Sequence, residues 1–504
     1  MIKNNRLLRA LMFKIKKTST VIFALLGLSS LSAYSAFAES VQVSSVTPQN
    51  QGQTQAVSAA SSASSPADTA SGDTAAAGPL VSADTQSDPS YYAFEHYTAN
   101  PPLNQYGAVN VDTHVAENVQ VPVAPVAAGG AKATPAALSS QWPALVPPQP
   151  QLNAKAYILM DAANGNVLAA YDGNKRMAPA STTKLMLLYI VQQELKSGRI
   201  HLDDMVTVPK IAWATGGSRM FLKPGSQVAV KDLIQGIIVD SGNDAAVTLA
   251  TYMGGTQSAI VHLMNQALRS LGMHNTHFSD VMGLPAPAHF STAYDLGKLA
   301  YGLINNYPEY YSWFSQKYFR YNGIRQANFN RLLFIYPYAD GLKTGSTGAA
   351  GFSLVSSAKT PGNAMRLIAV VLGANSDNQV AALSKELLTY GFRFFEGREL
   401  YHADTKLSER HVWLGQSNTL AVGIEKALYV TIPQGADAKL KANMVFDDAL
   451  KAPIVKGQKV GELKVTLEGK SVADVPVVAM ADIAQGSFFK RLSDHIRLFF
   501  DKIF

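Results

Sequence analysis

Residues 39–141 set the first limit on what this chain can fold into. They are rich in Ala, Ser, Thr, Gln, Pro and Val with no helical or strand period, and 58–77 is nearly pure Ala, Ser, Thr, Gly and Asp. Such a stretch cannot bury enough apolar surface to offset the entropy of ordering, so it reads as a disordered linker. The chain's length suits two or three domains, and compact structure is left to residues 142–504, with order expected to begin near Trp142.

The segment before the linker has the make-up of a secretory signal over 1–38. Lys3, Arg6, Arg9, Lys14, Lys16 and Lys17 form a basic region, Val21 to Leu28 a short apolar run, and Ala36-Phe37-Ala38 a small-x-small cleavage site. The apolar run is shorter than the ~20 residues a spanning helix needs. The expected mature chain starts at Glu39, and either Met1 or Met12 can begin the signal. The sequence has no cysteine, which excludes disulfides, thiolate metal sites and cysteine nucleophiles and permits export. From residue 141 onward there are 36 basic and 28 acidic side chains. So dilute a surplus suits an anionic surface such as membrane headgroups or wall polymer. No basic run is interleaved with aromatics, so no nucleic-acid partner is expected. His274 and His277 lie three apart in a polar loop without a third ligand, no phosphate-cradling G-x-x-x-x-G-K loop occurs, and no metal or other cofactor is expected.

Ala156–Met160 and Gly165–Ala169 are two strand-like runs, with the hairpin-turn signal Asn164-Gly165 between them. Leu185–Leu195 reads as a buried helix. Helical segments follow near 231–239, 244–252, 257–271 and 292–305, and strands near 341–345, 350–357 and 367–372. Helices flanking an antiparallel sheet predict an α+β domain over 142–397. After Phe395 the pattern turns to short alternating runs such as Leu428–Ile432 and Leu463–Leu467, punctuated by Gly and Pro, which predicts a small all-β domain over 398–485. Residues 486–504 return to a helical period. Phe488, Phe489, Leu492, Ile496, Phe499, Phe500, Ile503 and Phe504 fall on one arc, while Lys490, Arg491, Asp494, Arg497, Asp501 and Lys502 take the rest and Leu498 is the apolar exception. An in-plane membrane anchor fits this wheel; a core-packing helix gives the same pattern.

Three motifs occur in order: Ser181-Thr182-Thr183-Lys184, Ser241-Gly242-Asn243 and Lys343-Thr344-Gly345. Each alone is weak, since Ser181 can be a helix cap, Ser241-Gly242-Asn243 a turn, and Lys343-Thr344-Gly345 a strand end. Together they make a chemical set. A serine hydroxyl needs an adjacent base, and a residue three further along a helix shares its face, so Lys184 can serve Ser181. A lysine acts as a base only when desolvation and another cation lower its pKa; Lys343 can be that cation. Ser241 can relay a proton to a leaving amine, Asn243 can hold a substrate amide, and Lys343 and Thr344 on an edge strand can meet an extended peptide and its carboxylate.

The ordered triplet is characteristic of penicillin-binding proteins and class A β-lactamases. Longer strings, Pro179–Lys184, Met220–Gly225, Ser241–Ala245, Asn322–Gln326 and Gly391–Phe395, make the chain from about Asn153 onward resemble the low-molecular-mass penicillin-binding proteins of the serine D-alanyl-D-alanine carboxypeptidase type. The resemblance implies a serine β-lactamase/penicillin-binding-protein-like catalytic domain, a β-rich second domain and a C-terminal helix on the outer face of the inner membrane. It implies removal of the terminal D-alanine from peptidoglycan pentapeptide stems through a Ser181 acyl-enzyme, with β-lactams as covalent inhibitors and a periplasmic location. It also implies an oxyanion hole from the N–H groups of Ser181 and Ser346, and substrate-carboxylate contacts from Arg366 and Thr347. Ser346 stands where relatives commonly carry His. Competing readings are a β-lactamase, a D,D-endopeptidase of the same fold, and a non-catalytic wall scaffold. Between 245 and 290 the only acid is Asp280, so the loop glutamate of a class A β-lactamase has no counterpart there.

Overall fold

The central strands of the first domain are apolar almost without interruption because both of their faces are covered. Ala156, Ile158 and Met160 of β1 (Ala156–Asp161) point into one hydrophobic cluster, and Tyr157 and Leu159 into another on the opposite face. In this computed structural model, residues 137–360, 365–446 and 449–501 are described. The expected signal, all but the end of the expected linker, and residues 502–504 lie outside them.

β2 (Val167–Tyr171) pairs antiparallel with β1 through the Asn164-Gly165 turn, where Gly165 takes φ +76°. β3 (Ala339–Thr347), β4 (Gly351–Lys359) and β5 (Arg366–Ala374) complete a wholly antiparallel sheet in the order β2-β1-β5-β4-β3. β3, which carries Lys343-Thr344-Gly345, is therefore an edge strand. One face of the sheet packs on a helical layer built around α1 (Lys184–Lys196), with α2 (Val230–Ile238), α3 (Asn243–Gly254), α4 (Gln257–Ser270) and α5 (Ala293–Asn306). α1 is buried nearly all round from Lys184 to Gln192, as a helix apolar on every face must be. Each fully buried Leu or Ile there contributes ~1.5–3 kcal/mol.

The other face is covered by α6 (Asp377–Phe394), an 18-residue helix that the sequence reading passed over. Its weak amphipathic stripe hides among exposed polar positions, but Ser376 caps it by accepting from Gln379 N at 3.1 Å. Two short hairpins, Met205–Thr207 with Gln227–Ala229 and Tyr318–Tyr321 with Ile324–Ala327, were also not foreseen.

Between Phe395 and Ala479 the described residues are built of strands apart from a 3-10 turn at Asp437–Lys439. Six strands form one sheet and Phe395–Tyr401 pairs with Leu428–Pro433. The core of this part is continuous with the α6 side of the first sheet. Thr431 Oγ1 donates to Asp161 Oδ2 at 2.6 Å and accepts from Asn164 Nδ2 at 2.8 Å, tying the β1–β2 turn to the β domain. The packed chain also begins before Trp142. Leu138–Gln141 form a helical turn with Leu138 buried, so the last residues assigned to the linker belong to the folded part. The apolar Leu138 and Trp142 supply the reason, since both join the core beside α6.

The final helix, α7 (Phe488–Asp501), turns its apolar side outward. Phe488, Phe489 and Phe499 are 66%, 80% and 62% exposed, whereas Asp494 is only 3% exposed. The Asp494 carboxylate accepts from Leu414 N at 2.9 Å and pairs with Lys490 at 2.9 Å. Part of the charged side, Asp494 with Lys490, thus faces the β domain. Among the described residues no helix is long and apolar enough to cross a membrane.

Candidate active site

Ser181 sits in a 3-10 turn, Ala180–Thr183, that runs straight into α1. The turn is entered through Ala180 at φ +48°, a left-handed conformation uncommon for a residue with a Cβ. Ser181 makes no capping bond; the Thr182 hydroxyl instead donates to the Pro179 carbonyl at 2.6 Å. Three residues on, Lys184 Nζ lies 2.9 Å from Ser181 Oγ and 2.9 Å from the Met282 carbonyl, to which it donates.

Lys184 is fully buried. Burial first, and then the nearby Lys343 cation, hold its pKa well below that of a free lysine, against the smaller opposite pull of Asp280 and Asp244. Lys343 is itself only 1% exposed, and burial pushes it down to about 7 while Asp240 resists. Asp240, also buried, is pushed up to about 8 by burial and by Asp244, with Lys343 acting the other way. Lys184 is thereby biased toward its neutral form.

β3 reaches this turn because residue 345 is glycine. A Cβ there would lie 2.9 Å from Thr182 N and 3.0 Å from both Pro179 O and Ser181 N. The Lys343-Thr344-Gly345 strand is thus laid against the peptide of Ser181, with Ser346 and Thr347 next along it. Thr347 Oγ1 accepts from Ala350 N at 3.0 Å, closing the turn into β4. At the entry to α3, Ser241 adopts φ +53° and Gly242 precedes the first helical residue, Asn243. Asn243 Nδ2 donates to the Gly216 carbonyl at 2.6 Å, and its Oδ1 is buried without a protein partner among the described residues. An acceptor so placed fits a substrate amide N–H.

Comparison with known proteins agrees with this geometry. The family profile described as D-alanyl-D-alanine carboxypeptidase matches residues 144–376, and that of the penicillin-binding protein 5 C-terminal domain matches 395–485. The chain is 45% identical over 363 residues to the D-alanyl-D-alanine carboxypeptidase DacC of Escherichia coli K12, covering 70% of this chain and 90% of that protein. It is 43% identical over 364 residues to DacA of the same strain, covering 71% and 90%. A solved structure of penicillin binding protein 5 from Haemophilus influenzae superposes with a TM-score of 0.65 at 39% identity, covering 67% of this chain and 99% of that one.

The chain belongs to the D-alanyl-D-alanine carboxypeptidase family.

In this carboxypeptidase Ser181 and Lys184 meet at 2.9 Å and Gly345 lies against the Ser181 peptide, with Lys343, Thr344, Ser346 and Thr347 on the same strand, while Ser241 and Asn243 stand at the start of α3, whose Asp244 bears electrostatically on Lys184. Arg366 does not join them, and its expected contact with the substrate carboxylate is corrected. It opens β5 opposite Lys359, whereas Lys343 lies level with Val355 and Val370. Four residues along a strand is ~13 Å. The guanidinium there pairs with Asp340 and covers the ring of Tyr311 at 4.8 Å. Strand position relative to Lys343 only emerges once the register is known. The sequence reading also missed Asp280, Asp240 and Asp244. Asp244 Oδ1 accepts from Met220 N at 2.9 Å and Oδ2 from Leu222 N at 3.0 Å, which pins the Met220–Gly225 string beside α3. The signal at Asp280 was an Asp three residues before a Gly, a turn pattern.

Proposed function

We propose that Ser181 is the nucleophile and Lys184 the general base of a D-alanyl-D-alanine carboxypeptidase acting on peptidoglycan pentapeptide stems. Neutral Lys184 takes the Ser181 hydroxyl proton as Oγ bonds to the carbonyl carbon of the penultimate D-alanine. The oxyanion is met by the N–H groups of Ser181 and Ser346. Its collapse breaks the C–N bond, Ser241 passes the proton to the departing amine, and D-alanine leaves. Water then cleaves the ester and restores Ser181. Lys343 and Thr344 face the terminal carboxylate, and Asn243 Oδ1 accepts from the stem backbone. The observation that carries this reading is the 2.9 Å contact between Lys184 Nζ and Ser181 Oγ in a fully buried setting.

Ser181→Ala should abolish covalent labelling by a fluorescent penicillin and trimming of a pentapeptide while the protein stays folded. Labelling at the wild-type rate would overturn the assignment. Slow loss of the label separates a carboxypeptidase from a β-lactamase. The Asp280 carboxylate offers no free base for the latter, since it accepts from the backbone N–H groups of Met282, Gly283 and Leu284.

The membrane reading rests on α7, whose acid Asp494 is docked and whose phenylalanines are exposed. The helix lies in the outer face of the inner membrane, and residues 1–38 direct export and are removed. Deleting 487–504 should release the mature protein into the soluble periplasmic fraction with activity on small peptides intact; unfolding or lost activity would place the helix in the core instead.

A further inference from the structure

The loop that supplies the Met282 carbonyl to Lys184 is built with more anchoring than a surface turn needs. Asp280 Oδ1 accepts from Met282 N and Gly283 N, both at 2.6 Å, and Oδ2 accepts from Leu284 N at 3.0 Å. His289, 2% exposed, places Nδ1 3.6 Å from Asp280 Oδ2 and Nε2 2.9 Å from Thr183 Oγ1. Thr183 adjoins Lys184 in the chain. The loop also rests on the nucleophile's own peptide: Gly283, at φ +97°, is so near that a Cβ would sit 1.8 Å from the Ala180 carbonyl oxygen and 2.9 Å from Ser181 N.

His289 Nδ1 also accepts from Ser279 N at 3.4 Å, so His289 is lodged between Thr183 and the 279–284 loop, and this line of contacts from Thr183 through His289 and the Asp280-bound loop to Met282 and Lys184 has a chemical consequence. A neutral lysine acting as base has two N–H bonds and one lone pair. With one N–H held by the Met282 carbonyl, the amine cannot rotate freely, and the lone pair is kept toward Ser181 Oγ. We propose that Asp280 and His289 are positioning residues that fix the Met282 carbonyl and, through it, aim Lys184 at the nucleophile. The proposal rests on Lys184 being the base. The charged groups bearing on Lys184 are Lys343, Asp280 and Asp244.

The test uses the mature full-length enzyme and stopped-flow acylation by benzylpenicillin. A misaimed base should act on rate rather than on binding. Asp280→Asn and His289→Ala should each lower the limiting acylation rate constant about 10- to 100-fold, the scale of a misplacement of about 1 Å, with reversible penicillin affinity held. The double variant should fall little further than the weaker single, because both act on one loop. His289→Gln, which can still reach Thr183, should recover part of the rate. In Asp280→Asn the acid limb of the pH profile should also move to lower pH, since a carboxylate that raises the Lys184 pKa has been removed. Wild-type acylation in folded Asp280→Asn and His289→Ala, or a loss carried by affinity, would overturn the proposal. If neither folds, Thr183→Val, which deletes only the hydroxyl contact with His289, decides it by the same readings. Lys184→Ala separates the two levels: if it acylates normally the base assignment fails, whereas a dead Lys184→Ala beside a normal Asp280→Asn sinks only the positioning role.

Discussion

Gly345 of the edge strand lies against the backbone of Ser181 so closely that a single added methyl group would stand 3.0 Å from the serine nitrogen. The two residues are 164 positions apart in the sequence, and the meeting of strand and turn brings Lys343 beside the base. Gly345→Ala must push β3 away from the turn, because the atoms it meets are backbone and cannot swing aside. Penicillin acylation should fall at least about tenfold, with ~1–3 kcal/mol lost from stability. Acylation kinetics and thermal unfolding measure both; unchanged kinetics would mean that the strand has room to shift.

Lys343 sets part of the acidity of Lys184. Removing its charge in Lys343→Met takes away a cation that lowers the Lys184 pKa. The pH at which acylation reaches half its plateau should therefore rise, separately from any loss of substrate affinity. A profile with an unmoved acid limb would show that burial alone neutralises Lys184.

The burial of Lys343 has its own stability signature. Its folded pKa, about 7, lies below the unfolded value of 10.5. The unfolded state thus binds more protons between about 7 and 10.5, and this group's contribution makes stability rise with pH across that window. The cost of the buried ammonium is full below about 7 and relieved above 10.5. Lys343→Met should flatten that part of the curve in urea unfolding followed from pH 6 to 10.

Thr431 supports the buried Asp161 from across the domain junction. Burial raises the Asp161 pKa against the hydrogen bonds from Thr431 and Ala163. Thr431→Val removes a donor to a carboxylate and leaves Asn164 Nδ2 without its acceptor, which should cost ~1–3 kcal/mol. The reaction groups do not touch it, so the acylation rate at 25 °C should stay within about twofold of wild type. A loss of rate larger than the loss of folded protein would reveal coupling between the β domain and the site.

Asp494 holds α7 on the β domain. Asp494→Ala leaves Leu414 N–H unpaired and should lower stability by ~1–3 kcal/mol. Binding to vesicles containing anionic lipid should survive, because the phenylalanine face is untouched. Loss of vesicle binding in the folded variant would mean that docking of the helix, not its apolar face, governs attachment.

Several features of this carboxypeptidase are local and so were legible in the chain itself. The Ser181–Lys184 pairing follows from helical spacing, the β1–β2 hairpin from Asn164-Gly165, and the buried α1 from an unbroken apolar run. The amphipathic wheel of α7 follows from its periodicity, though only the structure shows that its apolar face points outward. The all-β character after Phe395 follows from alternation with frequent Gly and Pro. None of these depends on which distant segment is the neighbour. The tertiary structure decided what does depend on it. Lys343 was expected at a carboxylate from its motif and Arg366 from the resemblance, yet the register of β3, β4 and β5 puts Arg366 beside Asp340, four residues along the sheet from the level of Lys343. Asp280 and His289 are ordinary loop residues until packing brings Met282 to Lys184. The lowered pKa of Lys184 also belongs to the fold, because desolvation and the charge of Lys343 act through space and exist only after the strand, the turn and the helix have closed around it.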